Sequence, residues 1–221
     1  MDRVEIARAS DERGELALAR RGDVLELVVD GTFAMDSAQP STEQALARLA
    51  LDRLAPPRPA GGLRVLVGGL GLGYTARALL DDPAVADVEV VELHPALVGW
   101  ARDGLLPQLA GGDQRLRLTV GDVLDVVPVR RGLDAVLLDV DNGPDFLVHT
   151  GNAAVYRAEF LSAAVGALAA DGLLAVWSSD PSPRLARLLD DLAGSCEQVL
   201  LEVTRQARTF TYAVYLAVRA G

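Results

Sequence analysis

The sequence predicts an α/β protein: a doubly wound, mostly parallel seven-stranded sheet with an antiparallel last strand, preceded by a small antiparallel β unit. Three observations carry that expectation. From Arg64 onward, short apolar runs alternate with helix-forming segments, the pattern of successive β–α units that build a parallel sheet. The first of these runs, Arg64-Val-Leu-Val, enters a turn holding Gly68, Gly69, Gly71 and Gly73 before a helix opens at Tyr74. The last two runs are separated only by Arg205-Gln-Ala-Arg208, too short for a crossover helix, so they must pair as a hairpin.

Residues 3–9, 14–20 and 23–29 alternate partly and are punctuated by Asp11-Glu-Arg-Gly14 and Arg21-Gly22-Asp23, which predicts two or three antiparallel strands closed by Asp30-Gly31. Ser41-Thr-Glu-Gln44 has the form of a capping box, with Ser41 as N-cap and Gln44 as its partner, opening a helix to about Ala55. Pro56-Pro57-Arg58-Pro59 then reads as a linker. The domain division expected is a β unit at 1–31, a linking helix and Pro-rich segment at 32–60, and a ligand-binding domain at 61–221. Within that domain the predicted order is strand 64–68, helix 74–81, strand 87–92, helix 95–103, strands 115–120 and 133–139, helix 152–170, strand 172–178, helix 183–193, and strands near 197–204 and 210–218.

Composition narrows the function. A formal charge of -10 over 221 residues gives no cationic footprint for nucleic acid or an anionic membrane, while it would steer a cationic substrate favourably. There is no lysine, which removes Schiff-base and lysine-base chemistry. The single Cys196 is read as structural, and Met1-Asp2-Arg3 does not begin an apolar leader, so a soluble, cytoplasmic protein without membrane association is expected. His94 and His149 lack a neighbouring Cys/His pair and make no metal set; loop or surface positions are expected for both. Trp100, Trp177, Leu161, Val165 and Leu168 are expected in the core.

In open α/β sheets ligands bind beyond the carboxyl ends of the strands, so the residues that end each strand carry the information. The glycine turn suits close approach of a nucleotide, with Gly69, Gly71 and Gly73 as its contacts. On the glycines alone, a dinucleotide and an S-adenosylmethionine (SAM) turn both fit. Glu92 follows Gly73 by 19 positions and can accept both hydroxyls of a ribose, or it can cap the helix that starts at Pro95. Leu93 follows it into the same turn. Asp122 can accept an adenine amine while the Val123 N–H meets a ring nitrogen, or it can cap a short helix at 123–127. Asp139, Asp141 and Asn142 end the fourth parallel strand and are candidates for catalysis (Asp139) and acceptor binding (Asp141, Asn142), although Asp-Asn-Gly-Pro is also good turn chemistry. Tyr156 is a candidate for lining the acceptor channel, with core packing as its other reading.

These residues in this order resemble the class I SAM-dependent methyltransferase superfamily, a Rossmann-like fold, and within it the spermidine synthases. The resemblance rests on Asp30-Gly31 before a linking helix, the glycine turn at 68–73, Leu79-Leu80-Asp81-Asp82-Pro83, Val91-Glu92-Leu93, Val120-Gly121-Asp122, Leu137-Leu138-Asp139, and Tyr156 through Phe160. It implies an alkyltransferase with SAM or decarboxylated SAM as co-substrate, no metal, a small acceptor that can be a cationic amine, and a homodimer for which the N-terminal β unit offers an edge.

The chain also departs from the pattern. The family carries an aspartate within its glycine turn that grips the amine of decarboxylated SAM; here that position is Gly71. The family's Gln after Asp-Gly falls on Ala34 and the following Tyr near Glu43; the late Tyr-Pro-Ser-Gly segment is missing. Removing a carboxylate about 4 Å from the donor's α-carboxylate relieves about 1–4 kcal/mol of repulsion. The expectation is therefore methyl transfer from intact SAM to a small, amine-bearing acceptor, with aminopropyl transfer next. A non-catalytic nucleoside-binding member and an NAD oxidoreductase remain as rivals.

Overall fold

The computed structural model describes residues 2–54, 61–140, 150–205 and 208–221. Strands β1 (Arg3–Asp11), β2 (Gly14–Arg21), β3 (Val24–Val29) and β4 (Thr32–Asp36) form an antiparallel sheet in the order β1-β2-β3-β4. The fourth strand lies in the segment expected as linker, because Asp30 (φ 50) and Gly31 (φ 73) form a tight hairpin turn rather than a terminus. Leu16, Leu18, Leu25 and Leu27 bury the inner face of this sheet. The carboxylate of Glu26, 6% exposed, is held there by Arg3 at 2.8 Å and Arg21 at 2.7 Å, so the buried charge is paired.

Helix α1 spans Ser41–Arg53, but its N-cap is Pro40 and no side chain caps it. The expected capping box does not form: Ser41 already lies inside the helix, and the Gln44 N–H donates to the Pro40 carbonyl at 3.1 Å. Then follow β5 (Leu63–Gly68), α2 (Tyr74–Leu80), β6 (Val85–Glu92), α3 (Pro95–Arg102), β7 (Leu116–Val120), α4 (Val123–Val126), β8 (Leu133–Leu138), α5 (Ala158–Ala167), β9 (Leu168–Ser178), α6 (Pro183–Ala193), β10 (Cys196–Arg205) and β11 (Arg208–Val218). The single helix expected at 152–170 is instead a 3-10 stretch, Thr150–Tyr156, and α5, parted by extended Arg157 (ψ 152). Helix α5 stops at Ala167 because Leu168 is extended and pairs with Leu133 of the sheet.

The seven strands run β10-β11-β9-β8-β5-β6-β7. Strands β5 through β9 are parallel; β11 is antiparallel to both β9 and β10, as the short connection requires. Central β5 and β8 read as near-continuous apolar runs because both faces of the sheet are covered. One core layer packs α1, α2, α3 and the N-terminal sheet on one face, around Leu46, Leu79, Trp100 and Val214. The other face packs α4, α5 and α6, around Leu161, Val165, Leu189 and Tyr215. Helix α6 shows ordinary boundary chemistry, with Pro183 in its first turn and Gly194 (φ 100) past its end.

Strand order reverses between β5 and β8, since the chain leaves β5 toward β6 and β7 and returns to β8 on the other side. A crevice opens at such a reversal, at the carboxyl ends of the two strands. Among the described residues no helix is long and apolar enough to cross a membrane. Burial pushes the Cys196 thiol up to about 11, which keeps it protonated and unreactive.

Candidate functional site

Backbone hydrogen bonds stitch the strand ends into one platform. The Gly69 N–H donates to Val91 O at 2.9 Å, Asp139 N–H to Gly68 O at 2.8 Å, and Gly121 N–H to Glu92 O at 2.9 Å. Gly69 (φ +92) lets β5 and β8 approach so closely that a Cβ at this position would lie 2.1 Å from the Asp139 carbonyl oxygen. Gly69→Ala therefore meets both a left-handed backbone and a hard backbone clash, and should destabilise the chain by about 2–6 kcal/mol in a urea titration. An unchanged midpoint would mean that the β5–β8 junction can open without penalty.

A cavity of about 210 Å³ lies on this platform, and Gly69, Gly71, Glu92, Leu93, Asp122, Val123 and Asp139 all line it. Its far wall belongs to the N-terminal sheet, through Leu16, Leu27, Val29, Ala34 and Met35. The β unit thus closes the site instead of hanging from it. At its rim Arg13 Nη1 donates to the Leu93 carbonyl at 3.0 Å.

Glu92, 7% exposed, accepts the Leu70 N–H on Oε2 at 2.9 Å and the His94 N–H on Oε1 at 2.8 Å. Burial pushes its carboxyl above the usual carboxylate range, and these two donors oppose that shift. The side chain serves the turn and the helix start together, and each oxygen keeps a lone pair for a ligand hydroxyl. Asp122 is the N-cap of α4, its Oδ1 accepting the Leu124 N–H at 2.8 Å. Capping does not remove it from the cavity wall, since Oδ2 is the oxygen left over.

Asp139, partly buried, accepts a hydrogen bond on Oδ2 from the Thr75 hydroxyl at 2.7 Å. Burial, reinforced by the negative charge of Glu43, pushes its carboxyl up to about 7; Thr75 pulls the other way. A carboxyl poised near neutrality can hold or release a proton at working pH. Among the described residues that line the cavity there is no arginine, whereas Glu43, Glu92, Asp122 and Asp139 contribute four carboxylates. The described residues offer no group of three or more His, Cys, Asp or Glu that could hold a metal.

Other expectations need correction. Tyr156 does not line this cavity: it packs with Phe160 and Leu161 on the opposite face of the sheet, because α5 lies on that side. Gly73 (φ 87) is the N-cap of α2, outside the cavity lining. Asp141, Asn142 and His149 lie outside the described residues. His94 is 8% exposed and lines the cavity, not a surface loop, because it is the N-cap of α3. Trp177 lines the cavity from the end of β9, stacked on Tyr212 with ring centroids 5.5 Å apart, and its buried indole N–H has no hydrogen-bond partner among the described residues. Sequence reasoning gave no role in the site to the side chains of Met35, Glu43, Thr75 and Trp177, the last of which was expected in the core. Only Glu43 left a signal, as a carboxylate near the position where the resembling family has a tyrosine.

The strand order with its antiparallel edge hairpin and strand-end crevice defines a class I SAM-methyltransferase-like fold. No protein-family model matches the chain. It is 34% identical over 176 residues to a polyamine aminopropyltransferase of Mycobacterium tuberculosis, covering 76% of this chain and 31% of that protein. It is likewise 34% identical over 174 residues to polyamine aminopropyltransferase 2 of Streptomyces coelicolor, covering 74% of this chain and 29% of the relative. The chain thus spans less than a third of the length of these curated relatives. A spermidine synthase solved with the transition-state analogue AdoDATO superposes with a TM-score of 0.81 at 18% identity, over 98% of this chain and 74% of that one. The spermidine synthase of Thermotoga maritima gives 0.77 at 18% identity, over 98% and 73%. The chain is spermidine synthase-like.

These relatives overturn the expectation of methyl transfer, since the similar proteins carry the aminopropyltransferase name. Position 71 is only one part of the cavity wall, which Glu43 of α1 also lines.

Proposed function

We propose that this chain carries an aminopropyltransferase site, which moves the aminopropyl group of decarboxylated SAM onto a small amine. The observation that carries this reading is Asp139, a carboxyl held near neutrality at the strand-order reversal, in a cavity whose lining, among the described residues, has four carboxylates and no arginine. The similarity to polyamine aminopropyltransferases supports it.

In this reading Glu92 accepts the ribose hydroxyls, Asp122 and Val123 meet the adenine, and the glycine turn lies against the nucleoside. The acceptor nitrogen must be neutral to attack. Asp139 orients the amine and takes up its proton as the nitrogen lone pair forms a bond to the carbon next to sulfur. The carbon–sulfur bond breaks, its electron pair stays on sulfur, and the sulfonium becomes the uncharged thioether methylthioadenosine. The apolar wall from the N-terminal sheet keeps water from the reacting centre.

The test is methylthioadenosine release by the purified chain with decarboxylated SAM and a short diamine, followed by chromatography. Turnover at least about 10-fold faster than with intact SAM is expected from the repulsion of an α-carboxylate. No turnover with decarboxylated SAM and any amine would overturn the reading.

A further inference from the structure

We infer that Glu43 sets the charge requirement of the cavity, selecting a donor whose alkyl arm ends in an ammonium and excluding one that also bears an α-carboxylate. The inference rests on the aminopropyltransferase reading and names the residue that enforces its choice of donor. Glu43 lies in the first turn of α1 and lines the cavity together with Asp139. The Thr75 hydroxyl lies between the two segments, 2.7 Å from Asp139 Oδ2 and 3.4 Å from the Glu43 carbonyl oxygen. The Glu43 carboxylate is near enough to raise the Asp139 carboxyl.

Three features give this carboxylate its role. First, among the described residues no arginine pairs with Glu43; its Oε2 accepts only the neutral Thr42 hydroxyl, at 2.7 Å. Its charge therefore remains available to a ligand. Second, the glycine turn cannot supply a carboxylate of its own. Met35 Sδ lies 2.7 Å from where a Gly71 Cβ would stand and 3.3 Å from the Leu72 nitrogen, so the thioether occupies the space over the turn. Third, Leu16, Leu27 and Val29 line the same cavity, and an apolar wall strengthens charge discrimination relative to water. An ammonium satisfies Glu43 and Asp139 together, whereas an α-carboxylate adds a third negative charge.

The experiment compares Glu43→Gln and Glu43→Asp with the wild-type chain by calorimetry, using methylthioadenosine, decarboxylated SAM and intact SAM. Methylthioadenosine has neither the amine nor the carboxylate, so its affinity should stay within about 3-fold in both variants. In Glu43→Gln the preference for decarboxylated over intact SAM should fall by at least about 10-fold. Glu43→Asp, which keeps the charge, should retain most of that preference. Methylthioadenosine binding with an unchanged donor preference in Glu43→Gln would overturn the assignment while leaving the aminopropyltransferase reading intact. Failure of the wild-type chain to bind any of the three would overturn both.

Discussion

Asp139→Asn should lower the transfer rate by about 10²–10⁴-fold and at the same time make the unliganded protein more stable at alkaline pH. The two effects share one cause. The Asp139 carboxyl is pushed from 3.8 up to about 7, first by burial and then by Glu43. Its folded-state value lies above its unfolded one, so the linked stability is fully present below about pH 4 and is lost as pH rises through about 7. Above that point the ionised carboxylate burdens the fold, and asparagine removes the charge while keeping an acceptor for Thr75. Asp139 still reaches the cavity, which tempers the penalty to about 1–3 kcal/mol. Urea titrations should therefore show the Asn variant ahead of wild type at pH 8 and level with it at pH 4. Catalysis runs the opposite way: wild-type kcat/KM should rise with pH up to about 7 and then level off, because only the ionised carboxylate accepts a proton. A rate within 3-fold of wild type in Asp139→Asn would move catalysis to another group.

Glu92→Ala should weaken methylthioadenosine binding by at least about 10²-fold, since two hydrogen bonds from ribose hydroxyls to a buried carboxylate contribute about 1.5–3 kcal/mol each. The same change strands the Leu70 and His94 N–H groups, which Glu92 now satisfies. Each costs about 1–3 kcal/mol if left unpaired, so the melting temperature should fall as well. Asp122→Ala separates these contributions. It removes an N-cap, at about 1 kcal/mol, and one adenine acceptor, so its affinity loss should be about 10-fold with a smaller drop in stability. Calorimetry on folded protein at low temperature reads the affinities. Wild-type affinity in folded Glu92→Ala would leave Glu92 as a structural residue of the turn alone.

Much of this site was legible because strand ends are local. The period of apolar runs located β5, β6, β7 and β8 within two residues, and the residues that follow each strand must then sit on one platform. Gly69, Gly71, Glu92, Leu93, Asp122, Val123 and Asp139 came to one cavity for that reason. Of the two readings of Tyr156, core packing is the one found, since it sits on the face of the sheet away from the cavity, and an apolar pattern does not say which face of the sheet will receive it. The capping box at Ser41 failed on a shift of one residue, with Pro40 taking the cap position, and helix boundaries are set by that kind of local competition.

By itself, the sequence determined the alternation of strands and helices, the terminal hairpin and the glycines and carboxylates at the strand ends. These depend on periods of a few residues and on the chemistry of turns, which act within a short stretch of chain. The charge of the cavity was decided only by the tertiary structure. Met35 reaches Leu72 across 37 positions and Thr75 reaches Asp139 across 64, so the first contact arises from how the N-terminal sheet packs on the glycine turn and the second from how α2 lies beside the end of β8. Electrostatic energy depends on distance in space, and the carboxylate that offsets Gly71 belongs to a different element of the fold.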